Sequence, residues 1–96
     1  LHRDDRPTAI FASNDEMAAG VMHVALGMGL TIPRDLSIIG FDDSPTAQHI
    51  WPSLTTVRWP LVEMGVLAAE KVAGRFLGHD KTLAVPTTMP SEIVSR

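Results

Sequence analysis

Two short apolar runs, "PTAIFA" at residues 7–12 and "LSIIGF" at residues 36–41, flank a single helix-patterned segment. Both runs are continuous rather than alternating, which is the pattern of strands buried on both faces. Between them Ser13 can cap a helix, with Glu16 three residues later completing an S-x-x-E capping box. The spacing predicts a helix from residue 14 or 15 to residue 28, ended by Gly27 and Gly29. Strand, helix and strand within roughly 35 residues make a βαβ unit, whose strands are expected to be parallel and whose crossover right-handed.

The rest of the chain adds less. "DDSPTAQHIWPS" is polar and turn-rich, and Ser44-Pro45 can start a short helical turn. "LTTVRW" has β-branched strand character. Residues 61–77 are amphipathic: Leu61, Met64, Ala68, Val72 and Phe76 share a face, while Glu63, Glu70, Lys71 and Arg75 mostly point away, and Gly78 closes the segment. "KTLAVPTTMPSEIVSR" reads as one or two extended pieces interrupted by Pro86 and Pro90. Two helices of useful length cannot cover both faces of such a sheet, so the expected fold class is α/β, a partial doubly wound parallel sheet taken from a larger protein. A start at Leu1, without initiator methionine or signal peptide, fits that expectation.

Composition narrows the chemistry. An apolar fraction of 45% and a charged fraction of 20% describe a globular chain rather than a disordered one. The net charge of -3, with scattered basic residues, leaves no footprint for nucleic acid or an anionic membrane. With no cysteine, disulfide scaffolds, thiolate metal sites and cysteine nucleophiles are excluded, and the cytoplasm is the expected compartment. No apolar run approaches the ~20 residues of a membrane span. His2, His23, His49 and His79 lack metal-ligand spacing, and Asp42-Asp43 has no third ligand or base beside it. Ser13 lacks a G-x-S-x-G elbow, and Gly27 and Gly29 follow a helix rather than a strand. No catalytic residue, metal site or cofactor is expected.

Asn14 follows the first strand and Asp42 the second, and ligands of open α/β sheets bind beyond the carboxyl ends of the strands. An amide offers donor and acceptor, and a carboxylate accepts two hydroxyl protons, a pair suited to a polyhydroxylated or amide-rich small molecule. Asn14 is equally suited to capping the helix, and Asp42 to starting a turn. The first helix is apolar nearly all round, through Met17, Ala18, Val21, Met22, Ala25 and Leu26 with Ala19, Val24 and Met28 beside them. One side would pack on the sheet; the other would meet a second subunit or a further part of the same chain.

Taken together, "PTAIFASNDEMAAGVMHVALGMGLTIPRDLSIIGFDDSP", "PSLTTVRWPLVEMGVLAAEKV" and "PSEIVSR" resemble, in the right order, the C-terminal part of lactose-repressor-family (LacI/GalR-type) transcriptional regulators. The resemblance runs from Pro7 to Arg96. It implies a two-lobed effector-binding core of the periplasmic-binding-protein type (type I), with a helix-turn-helix DNA-binding headpiece outside this chain. By resemblance, residues 1–59 belong to the C-terminal lobe, 60–85 carry a crossing segment and helix of the N-terminal lobe, and 86–96 return to the C-terminal lobe. Asn14 and Asp42 occupy positions that hydrogen-bond the effector, a sugar or a nucleoside-like metabolite. Trp59 stands where glutamine is more common, and its ring could lie against a sugar face or pack at the hinge. The dimer interface would include Ala18, Ala19, Met22, Ile50 and Trp51. The implied mechanism is an effector-dependent shift between two lobe arrangements that changes the spacing of two headpieces on operator DNA. A periplasmic sugar-binding protein of a transport system is the alternative, disfavoured by Asp43 where the export proteins usually have glycine. An α/β enzyme is a third class with no residues to support it.

Overall fold

A computed structural model describes residues 1–78 and 88–96. The predicted βαβ unit is present. Strands β1 (Ala9–Phe11) and β2 (Ser37–Ile39) pair in parallel, with Ala9 opposite Ser37, Ile10 opposite Ile38 and Phe11 opposite Ile39. Helix α1 (Asp15–Gly27) connects them, its end marked by Gly29 at φ +78°, a conformation glycine adopts freely. After β2 comes the short helix α2 (Pro45–His49), with Pro45 in its first turn where a missing N–H costs nothing. Strand β3 (Thr56–Arg58) continues the sheet: Ile39 bridges Thr55 in parallel, and the Gly40 and Asp42 amides donate to the carbonyls of Thr55 and Val57, each at 2.9 Å. Strand β4 (Glu92–Val94) closes the edge antiparallel to β3, placing Arg58 opposite Glu92.

One face of this sheet is covered. Ile38 points at α1, and the core comprises Ala12, Ala18, Met22, Ala25, Leu36, Ile38, Ala47 and Leu54. Full burial of a side chain such as Leu36 or Leu54 is worth about 1.5–3 kcal/mol. The opposite face is open. Phe11 is 62% exposed there, and an apolar hollow of about 640 Å³ is lined by Phe11, Ile39 and Thr55 together with the core residues Met22, Ile38 and Leu54. Parallel strands normally have both faces covered, so the described residues supply half of the layer structure that the sheet requires.

The chain divides into two compact units, one formed by Leu1–Arg58 with Glu92–Arg96 and the other by Trp59–Ser91. In the second unit α3 (Leu61–Phe76) has no buried residue, and Phe76 is 90% exposed. The apolar stripe anticipated from Leu61 to Phe76 is therefore present on a helix that nothing among the described residues covers. Pro86, His79 and much of the extended segment expected before Pro90 lie outside the described residues.

Two readings of α1 need correction. The capping residue is Asn14 rather than Ser13: the Met17 amide donates to Asn14 Oδ1 at 2.7 Å, and Glu16 does not reach back but accepts a 3.2 Å bond from the Thr46 hydroxyl. Ala18 and Met22, expected at a dimer interface, lie in the core at 0% and 3% exposure. Their side of α1 is the one that packs on the sheet, so they have no surface to offer a partner. The outward side carries Met17 and Val24 instead, both more than half exposed, seven residues apart on one side of the helix.

Candidate functional site

Asn14 and Asp42 stand in equivalent places. The last paired rung of β1 and β2 is Phe11 opposite Ile39, and each site residue lies three positions beyond its member of that rung. Both therefore occupy the carboxyl-end rim of adjacent parallel strands, where open α/β sheets bind ligands. Asn14 is half-buried, and its amide oxygen accepts the α1 cap bond from the Met17 amide. Asp42 is exposed, with φ +113°, and Asp43 follows at φ +55°. Two consecutive non-glycine residues with positive φ carry a cost of order 1–3 kcal/mol each and persist only where the surroundings fix them.

The fixing residues are visible. Asp15, fully buried, accepts hydrogen bonds from the Thr56 hydroxyl at Oδ1 (2.6 Å) and from the Ser44 amide at Oδ2 (2.7 Å), while its own amide donates to the Phe41 carbonyl at 3.0 Å. It thus ties the start of α1 to β3 and to the start of α2. The close approach requires Gly40: a Cβ there would meet Asp15 Oδ1 and would stand 2.9 Å from Leu54 Cδ2. Asp43 is held by two arginines. Its nearly buried carboxylate receives Arg96 Nη2 at 2.6 Å and Arg58 Nε at 2.7 Å, and Arg58 also reaches Glu92 Oε1 at 2.9 Å. The bond from Arg96, reinforced by Arg58, holds the Asp43 carboxyl below its ordinary value. Adjacent aspartates therefore differ: Asp42 lies exposed on the rim, while the Asp43 carboxylate is shielded by its arginine partners.

Other anticipated residues are more scattered. Ile50 is half-buried against the core, Ala19 is half-buried on α1, and Trp51 is 87% exposed. Trp59 is partly exposed and opens the second unit, immediately after Arg58. The lining of the apolar hollow includes neither Asn14 nor Asp42, and it fits an incompletely covered core better than a polar ligand site. Among the described residues no group of three or more metal-binding side chains comes together, and no helix is long and apolar enough to cross a membrane. Sequence reasoning missed Asp15 and Thr56, whose association depends on a pairing 41 residues apart.

A parallel sheet with candidate ligand residues on its carboxyl rim, closed by an antiparallel strand where the chain returns, is the architecture of a periplasmic-binding-protein-like domain, and residues 1–96 match that domain family. The chain is 48% identical over 66 residues to a probable HTH-type transcriptional repressor, ExuR, of Bacillus subtilis, covering 69% of this chain and 20% of that protein. It is 38% identical over 91 residues to a lactose operon repressor of Rhizobium radiobacter, covering 95% of this chain and 79% of that one. Among solved structures, a lac repressor dimer bound to operator and the anti-inducer ONPF superposes with a TM-score of 0.81 at 29% identity, over 94% of this chain and 31% of that chain. A LacI-family regulator of Lactobacillus casei with bound sucrose gives 0.76 at 31% identity, over 100% and 34%. The chain belongs to the LacI/GalR family of transcriptional regulators. It spans between about a fifth and under a third of the length of several curated relatives, the Bacillus subtilis repressor among them.

Proposed function

We propose that this chain is the effector-sensing and dimerisation part of a LacI-type repressor that binds a small metabolite, a sugar in the first instance, and thereby alters operator affinity. The observation that carries the reading is the equivalent placement of Asn14 and Asp42, three residues past one shared rung of a parallel sheet, in a chain of this family. Asp42 accepts two sugar hydroxyls, and Asn14 donates from its amide. The named relatives repress transcription, which favours a regulator over a transport protein and over an enzyme. DNA contact belongs to a headpiece outside this chain, the protein works in the cytoplasm, and the functional unit is a homodimer.

In that dimer the exposed Trp51 takes part together with Ala19 and Ile50, and Met17 and Val24 take the places first given to Ala18 and Met22. The effector shifts the lobe arrangement only as far as its affinities for the two arrangements differ. The deciding experiment is titration calorimetry of the full-length protein with sucrose and lactose, paired with operator binding. Asp42→Ala should abolish sugar binding and the sugar's effect on operator affinity, while operator binding without sugar persists. Sugar affinity unchanged by Asp42→Ala, or no binding of either sugar by the unmodified protein, would tell against this reading.

A further inference from the structure

The two candidate effector residues are each followed by an aspartate, and both aspartates converge on one side chain. Thr56 is fully buried on β3. Its hydroxyl donates to Asp15 Oδ1 at 2.6 Å and accepts from the Asp43 amide at 3.3 Å. A hydroxyl has one proton to give and lone pairs to receive, so a single atom satisfies both neighbours at once. Asp15 is the residue after Asn14, and Asp43 is the residue after Asp42. The carboxylate of Asp15 also receives the Ser44 amide, the residue after Asp43, at 2.7 Å. The loop leaving β1 and the loop leaving β2 are thus fastened to the same oxygen on the third strand.

We propose that Thr56 is a positioning residue for effector binding: its hydroxyl sets the separation and orientation of Asn14 and Asp42 without touching the effector. The assignment rests on the effector-site reading given above and deepens it. Both loops leave short parallel strands, and one has two consecutive residues with positive φ. Such a turn has other conformations open to it once its amide bond is lost. Preorganised polar groups bind more tightly because less ordering remains to be done on binding. Thr56 carries the only hydroxyl in β3, whose other residues are Val57 and Arg58; valine at position 56 would keep the shape without the hydroxyl, and serine would keep the hydroxyl with less bulk.

The test uses the full-length protein, with sucrose and lactose as probes in titration calorimetry, and compares Thr56→Val, Thr56→Ser, Thr56→Cys and Asp42→Ala. Thr56→Val should weaken sugar binding about tenfold or more, the size of one buried hydrogen bond to a charged group. Thr56→Ser should stay within about threefold of the unmodified protein, and Thr56→Cys, a weaker donor and acceptor, should fall between. Equal losses in the Ser and Val variants, or no loss in Val and Cys while Asp42→Ala abolishes binding, would overturn the role of the hydroxyl. Sugar binding untouched by Asp42→Ala overturns the effector-site reading itself and this assignment with it.

A ligand-free measurement guards against failure of Thr56→Val to fold and against the absence of sugar binding. Amide hydrogen exchange should accelerate at Asp43 and Ser44 in Thr56→Cys by more than the core amides of α1 and β2. Uniform acceleration across the molecule would show a merely structural side chain and overturn the proposal.

Discussion

Asp15 and Thr56, 41 residues apart, share a 2.6 Å hydrogen bond in the buried interior, and the same carboxylate takes the Ser44 amide at 2.7 Å. Removing one partner of such a bond costs more than the bond's net worth, because the remaining donor is left buried and unsatisfied. Asp15→Ala strands both the Thr56 hydroxyl and the Ser44 amide, and we expect a loss of roughly 3 kcal/mol for the full-length protein by denaturant titration. Asp15→Asn, which retains an acceptor, should lose less. Equal stability of Asp15→Ala and the unmodified protein would contradict the geometry.

Gly40 allows this approach. Alanine there would drive its Cβ into Asp15 Oδ1 and to 2.9 Å from Leu54 Cδ2, and neither neighbour is free to retreat: one is fully buried and the other 2% exposed. Overpacking of this kind costs about 1–3 kcal/mol. Gly40→Ala should therefore lower the thermal midpoint measurably, whereas Gly20→Ala, with open space around the position, should leave or raise it.

Asn14 serves two ends of one amide, and these can be separated. Asn14→Asp keeps an oxygen for the Met17 amide and places negative charge at the start of α1, so helix stability should hold. It also replaces the amide donor with a second acceptor, and sugar affinity should fall about tenfold or more. Asn14→Ala should lose both, with a stability cost of about 1 kcal/mol. Preserved sugar affinity in Asn14→Asp would reduce Asn14 to a cap.

The Asp43 carboxyl is held below the ordinary aspartate value of 3.8, chiefly by Arg96. A group whose folded pKa is depressed stabilises the fold above its unfolded value and loses that contribution as pH falls through the folded one. The stability gap between the unmodified protein and Asp43→Asn should be constant from pH 7 to about 5 and close as the medium becomes more acid. A gap that widens below pH 4 would reverse the assigned sign.

Trp51, at 87% exposure, contributes little to the fold in the described structure. Trp51→Ala should leave the unfolding midpoint of the isolated subunit nearly unchanged yet shift the dimer toward monomer in analytical ultracentrifugation. Met22→Ala should do the reverse, costing about 2–5 kcal/mol of stability through a cavity in the core.

Much of this molecule could be read from its residues. The two apolar runs became β1 and β2, and the segment between them became α1 with ends close to those expected. The cap was displaced by one position because Ser13 and Asn14 are both good capping residues, and neighbouring positions compete closely. Ala18 and Met22 went to the wrong side because a helix apolar nearly all round has no stripe narrow enough to show which side the sheet will take. The shared rim position of Asn14 and Asp42 is legible from the strand ends, a local pattern. The place of Thr56 is not, since nothing near it in sequence announces a carboxylate 41 residues earlier.

Arg58 and Glu92 face each other across β3 and β4 and are joined side chain to side chain at 2.9 Å. The chain leaves the first unit and re-enters it on this single rung, like thread passing twice through neighbouring eyelets. Lengthening or shortening the excursion in between alters closure entropy only slowly and does not disturb the stitching of Asp43, Arg58 and Arg96.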